Sequence, residues 1–367
     1  MHITENTVVE TRRSIGSTVK GIPALLLINP EDLPRSYSDI QRRRTEHIAN
    51  VLNLHLSQPC ATSIAHAQQA VGNTLRALGE REFPQEELHL PRELADPDSH
   101  DDYCCIVRVS DSDTLHVFVS AILKAYEELL DDVVKGGSSL TPQQGGALCA
   151  AFECMLDSCA GSKESARTWT GNNYFELPQQ GTTECNPLHR WIRGHHVFLV
   201  LIQGLILSLN CFESAHEEGA REDCFSALEL ASLLMDGSSA ALHYAGDFPT
   251  PVYDEVVRPT MMPPNVPPGM SGVLARDHRH LVKLLHSQRP LFETLESGLK
   301  QQYHDFVAAF ARAYEAHKIV CAHFRGNERP SLLNGDAPQS GIELLDELKT
   351  TRLKGFELEK LAAKGIN

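Results

Sequence analysis

Aromatic residues are scarce in this 367-residue chain, at 6%, and basic residues are outnumbered, with 33 Lys and Arg against 48 Asp and Glu for a formal charge of −15. The deficit of positive charge excludes a general nucleic-acid binder, because phosphate contacts require clustered Lys and Arg. Arg42-Arg43-Arg44 is too short a run to reverse it. No apolar run reaches the roughly 20 residues that a bilayer span requires; the longest, Val197–Leu209, has 13 and contains Gln203. Met1–Lys20 carries Glu5 and Glu10 and has no apolar centre, so it does not read as a secretory signal and the expected location is the cytoplasm. Neither a C-x-x-C pair nor the C-x-x-C-H haem-attachment signal is present. Against these absences stand ten Cys and eighteen His. In a reducing compartment the thiols are expected to be unpaired and mostly buried as small apolar side chains.

Apolar positions recur at three and four rather than at two, which predicts an all-α fold. Helices are expected over 36–57, 62–80, 113–133, 142–159, 188–212, 222–236, 275–286, 299–324 and 341–364, with short strands only at Ala24–Ile28 and Cys104–Val109. Two segments interrupt the helices. Residues 160–187 carry the turn-forming run Gly171-Asn172-Asn173-Tyr174, and seven prolines lie between Gly246 and Gly272. A Pro-rich connection of that length is stiff and suits a fixed pocket wall, although a loose connector gives the same composition.

The segment 299–324 is the most informative. Leu299, Tyr303, Phe306, Phe310, Tyr314, Val320 and Phe324 form one apolar face, and His317 takes a slot on it. Cys321 follows one turn later, about 6 Å along the axis. Zinc needs three or four ligands, and the tetrahedral His/Cys spacings are missing. A haem suits the pair better, with the imidazole as axial ligand and the thiol beside the macrocycle; an ordinary buried His beside a Cys gives the same pattern. On the helix opening Arg276-Asp277-His278-Arg279-His280, His278 shares a face with Leu281, Val282 and Leu285, so it can turn inward while His280 turns outward. In 188–212, otherwise apolar nearly all round, His189, Arg193, His196 and Gln203 form a polar stripe that either satisfies neighbouring helices or faces a polar pocket. Arg190 or Arg193 would suit a carboxylate.

The runs Arg258-Pro259-Thr260-Met261-Met262-Pro263-Pro264, Arg276-Asp277-His278-Arg279-His280-Leu281 and Tyr314-Glu315-Ala316-His317-Lys318-Ile319-Val320 resemble the C-terminal half of the indoleamine and tryptophan dioxygenase superfamily. A closer similarity is to the haem-dependent 3-methyl-L-tyrosine hydroxylases of saframycin-type antibiotic pathways, which share the order His, 38 residues, then His-x-x-x-Cys that His278, His317 and Cys321 reproduce. It covers roughly the C-terminal 110 residues strongly; 1–240 carry no comparably specific motif.

That resemblance implies a helical bundle around a c-type haem held by one thioether to Cys321, with His317 and His278 as axial ligands. It implies insertion of one oxygen atom into 3-methyl-L-tyrosine to give 3-hydroxy-5-methyl-L-tyrosine, with hydrogen peroxide, or dioxygen and a reductant, as oxidant. Iron held by two histidines has no open position, so one must leave: His317 is expected to stay and His278 to depart and act as general acid or base. Arg190, Arg193 and His196 are the candidates for the amino-acid head group, and Tyr303 and Arg325 for the propionates. The expected organisation is a smaller N-terminal helical region, 1–110, packed on a haem-binding catalytic domain, 111–367, or one continuous domain, assembled as a homodimer. A bis-histidine electron-transfer or sensor protein, an indole ring-cleaving dioxygenase and a cofactor-free helical scaffold are the alternatives.

Overall fold

Short polar side chains set most of the helix starts. Ser36, Thr45, Ser63, Asp113, Thr141 and Asn186 each accept a hydrogen bond from a backbone N–H in the first turn of the helix they open, meeting donors that have no partner within the helix. At Thr141 the cap is reciprocal, because the Gln144 side chain accepts from the Thr141 N–H (2.9 Å). The computed structural model describes residues 22–58, 63–79, 88–89, 99–110, 113–162, 176–181, 183, 185–263, 265–267, 272, 275–324 and 340–354.

Among the described residues the α-helices of five or more residues are α1 (Tyr37–Arg43), α2 (Glu46–Leu56), α3 (Ile64–Leu78), α4 (Ser99–Tyr103), α5 (Thr114–Gly136), α6 (Pro142–Ala160), α7 (Pro187–Glu217), α8 (Arg221–Ala245), α9 (Arg276–Ser287), α10 (Arg289–Glu293), α11 (Lys300–His323) and α12 (Gly341–Lys354). The fold is all-α apart from a small sheet. In that sheet β1 (Leu25–Ile28) pairs parallel with the central β3 (Ile106–Val109), and β2 (Leu88–His89) pairs antiparallel on its other side. The two strands expected from sequence are β1 and β3.

Three helices differ from their expected spans, and the one expected to end at 212 runs on to Glu217. The segment 36–57 is two helices, because Arg44 is extended (ψ 98°) and Thr45 caps a new start. The helix expected to stop at 236 runs on to Ala245. Its Gly237-Ser238-Ser239 reads as a break in sequence, yet both serines donate to the carbonyls four residues back, Leu234 O and Met235 O (2.8 and 3.0 Å). Gly237 is there for close approach: a Cβ on it would lie 2.8 Å from the Ala151 Cβ of α6. The turn Gly171–Tyr174 and the stretch beyond Lys354 lie outside the described residues.

Helix α8 is the centre of the core, with α7 packed along it and α6 and α11 against it. By length and hydropathy α7 alone among the described helices could cross a bilayer, but 83% of its most apolar window is buried inside the protein. Gly194 lets α8 come so close that a Cβ there would lie 2.3 Å from that of Ala245. One hydrophobic cluster runs from Leu25 to Leu345, and Tyr103 Oη meets Thr260 Oγ1 (2.8 Å) across it.

Candidate active site

A cavity of about 300 Å³ lies between α4, α7, α8, α9, α11, α12 and the Pro-rich segment. His278 comes from the first turn of α9, and His317 and Cys321 from successive turns of α11; all three line this one space. The periodicity of both helices places them there, since His278 shares its face with Leu281, Val282 and Leu285, and His317 and Cys321 share theirs with Phe310, Ala313, Tyr314, Val320 and Phe324, all of which line the cavity. His280 turns the other way, toward Glu31 (3.4 Å). The Pro-rich segment is a wall: Tyr253, from a π-helical turn Tyr253–Val257, then Arg258 and Met261 line it. Tyr253 stacks on Phe324 with 4.0 Å between ring centroids.

Two further imidazoles, His100 of α4 and His195 of α7, complete the lining. Sequence reading missed both. His195 falls on the stripe Trp191, His195, Phe198, Ile202, a single His on an apolar helical face, which is the same signal that singled out His317. His100 lies in a five-residue helix too short to show periodicity. Their rings stand 5.7 Å apart, and with Cys104 they place one donor atom each within 4.8 Å of the others. His195 Nδ1 is 2.7 Å from Trp191 O, whereas buried His100 Nδ1 has no hydrogen-bond partner.

Burial keeps these rings neutral. Desolvation holds His317 down at about 4, with His195 adding to the effect, and holds His195 at about 4 against a hydrogen bond to Trp191 O. His100 lies well below its ordinary value, first through burial and then through His195, Arg108 and His278. The same cause pushes the Cys321 thiol up to about 11. Neutral imidazoles keep a lone pair for an iron or a proton.

The α9 end of the site is fixed by a buried charge network. Arg108 of β3 donates from Nε and Nη2 to the two oxygens of Asp101 (2.8 and 2.9 Å) and from Nη1 to Asp277 Oδ1 (3.1 Å), and Nη2 also reaches Asp277 Oδ2. Gln203 Nε2 donates to the same Asp277 Oδ1 (2.8 Å). Asp101 follows His100 and Asp277 precedes His278, so one guanidinium holds both histidine-bearing turns.

Four expected residues stand elsewhere. Arg190 donates to Asp132 (2.7 Å) and to the carbonyls of Gly137 and Asp247, and Arg193 Nη1 donates to Asp132 (3.1 Å). His196 sits between Glu128 (2.8 Å) and Cys104 O (2.6 Å). None of the three lines the cavity: the polar stripe of α7 satisfies its neighbours, and the adjacent stripe bearing His195 faces the space. Tyr303, about four turns before His317, stacks on Phe292 (5.0 Å) away from the cavity, as does Phe306 (6.4 Å). Arg325 lies outside the described residues.

The donor set fits a haem. The His317 ring and the Cys321 thiol have no hydrogen-bond partner among the described residues, stand one turn apart on one helix, and share with His278 a cavity whose lining is mostly apolar.

Comparison with known proteins finds peroxygenase relatives. A family model described as SfmD 3-methyl-L-tyrosine peroxygenase matches residues 26–302, a span that includes His278 and ends before His317 and Cys321. The chain is 33% identical over 254 residues to a 3-methyl-L-tyrosine peroxygenase of Streptomyces lavendulae, covering 68% of each protein. It superposes on a crystal structure of reduced SfmD, soaked with sodium hydrosulfite, with a TM-score of 0.67 at 29% identity over 83% of this chain and 99% of that one.

Proposed function

The chain belongs to the SfmD 3-methyl-L-tyrosine peroxygenase family, and from that premise we propose that it hydroxylates 3-methyl-L-tyrosine ortho to the phenol, giving 3-hydroxy-5-methyl-L-tyrosine and water with hydrogen peroxide as oxidant. The observation that carries the reading is the convergence of His278, His317 and Cys321 on one cavity from two helices. His317 and His278 would hold the iron of a haem and Cys321 would be its single covalent anchor. When bound, that haem supplies the oxygen-transfer chemistry.

The remaining work falls to the protein. Phe198, Phe310 and Phe324 exclude water and give an aromatic substrate flat surfaces to pack on. His317 stands well inside the 24-residue α11, a fixed platform for a retained ligand. His278 stands in the first turn of α9, whose N-cap Ala275 offers no side-chain hydrogen bond, a site with more freedom to move. We read it as the residue that would give up the group and hold a proton at Nε2. The order of Pro-rich wall, His helix and His on a long core helix supports a wider likeness to the indoleamine and tryptophan dioxygenases.

Purified protein should show a Soret band. Incubated with 3-methyl-L-tyrosine and hydrogen peroxide, it should yield a product heavier by one oxygen. A gain of two oxygens would indicate ring cleavage, and a haem spectrum with no turnover would indicate electron transfer or sensing. Activity with dioxygen and a reductant but not with peroxide would overturn the choice of oxidant.

A further inference from the structure

Both fully buried arginines outside the cavity have carboxylate partners: Arg108 with Asp101 and Asp277, Arg190 with Asp132. The two arginines that line the cavity, Arg258 and Arg352, have none among the described residues. Arg352 is carried by α12, whose Leu345, Leu348 and Arg352 fall at helical spacings of three and four and all face the cavity. The helix is clamped over α11 by Lys318 to Asp346 (2.7 Å) and by Lys349 to Glu315.

Among the described residues the guanidinium meets no carboxylate. Arg352 Nη1 donates to Tyr314 Oη (2.6 Å) and lies 3.4 Å from His278 Nε2, and its Cζ is 5.9 Å from the centre of the Tyr314 ring. A cation beside a largely apolar space without such a partner costs solvation until an anion arrives. A planar guanidinium grips a carboxylate with two parallel hydrogen bonds.

We propose that Arg352 is the carboxylate-binding residue of this cavity, with Arg258 as a second cation toward the same space, and that α12 delivers it as the cap over the bound ligand. The inference rests on the peroxygenase reading. The carboxylate is that of the amino-acid substrate or of a haem propionate, and the test separates them.

The full chain and the variants Arg352→Gln and Arg352→Lys, checked for unchanged helicity by circular dichroism, are titrated with 3-methyl-L-tyrosine and with 3-methyltyramine, the same ring without the carboxylate. Haem content and midpoint potential are measured on each. Recognition of the substrate carboxylate makes Arg352→Gln lose amino-acid affinity on the order of 10- to 100-fold, with Arg352→Lys between, 3-methyltyramine binding unmoved and the haem unchanged. Recognition of a propionate leaves amino-acid affinity intact and lowers haem content or shifts the potential. Unchanged affinity, haem content and potential in Arg352→Gln, beside a wild type that holds haem and binds the amino acid, overturn the assignment. A wild type that holds no haem and binds no amino acid overturns the peroxygenase reading and this inference with it.

Discussion

Arg108 and Asp277 are 169 residues apart in sequence and form a fully buried ion pair at the start of the helix that carries His278. Arg108 also holds Asp101, so removing Arg108 would strand two carboxylates in the interior, whereas removing Asp277 leaves the Arg108–Asp101 pair and loses the hydrogen bonds that Arg108 and Gln203 donate to Asp277. Asp277→Ala is expected to cost about 2–4 kcal/mol of stability, measured by urea unfolding. Asp277→Asn keeps the shape but loses the charge and should fall between. If Asp277→Ala unfolds at the wild-type midpoint, the network does not hold α9.

His317 and Cys321 are separable by haem retention. His317→Ala should lose most of its haem or change its spectrum, because the nitrogen proposed to hold the iron is gone. Cys321→Ser should bind haem but release it to acidified organic solvent, while the wild type retains it. Haem extracted from the wild type by that treatment would refute the covalent anchor.

The cavity histidines set an acid limit on the haem-free protein. His195 and His317 titrate near 4 in the fold, against an ordinary value of 6.5, and His100 is lowered as well. Below pH 6.5 the unfolded chain therefore binds protons that the folded chain refuses, so stability falls as pH drops from 6.5 toward 4; above 6.5 this contribution is flat. The loss should be on the order of a few kcal/mol across that window, read as the urea midpoint at a series of pH values, and His195→Gln should flatten the slope.

Gly194 tests the helix packing behind the site. A methyl group there would meet the Cβ and backbone of Ala245 at 2.3 and 2.5 Å, so Gly194→Ala should destabilise by about 1–3 kcal/mol despite its better helix propensity. Thermal unfolding of the variant above the wild-type midpoint would show that α8 yields freely.

What the sequence revealed follows from where periodicity is long. Helices of 12 or more residues such as α5, α6, α7 and α11 declared their inward faces, and His317, Cys321 and His278 were legible as polar residues in apolar slots. The polar stripe of α7 misled for a physical reason: Arg190, Arg193 and His196 are polar because Asp132 and Glu128 of α5 face them, and pairing across 58 to 68 residues leaves no mark in a local pattern. The continuation of α8 past Gly237 was hidden because a close helix contact and a helix end both favour glycine. Arg352 gave no signal at all, since an isolated arginine on a surface helix is ordinary until its neighbours are known.

The two clamps on α12 differ in kind from everything else around the cavity. The central frame of α7 and α8 is held by apolar packing, which salt does not screen, whereas Lys318–Asp346 and Lys349–Glu315 are surface ion pairs whose attraction weakens within a Debye length. Ionic strength is therefore a control on the doorway that leaves the room intact. Raising it should speed ligand entry and exit at the α12 side while the unfolding midpoint of the whole protein barely moves.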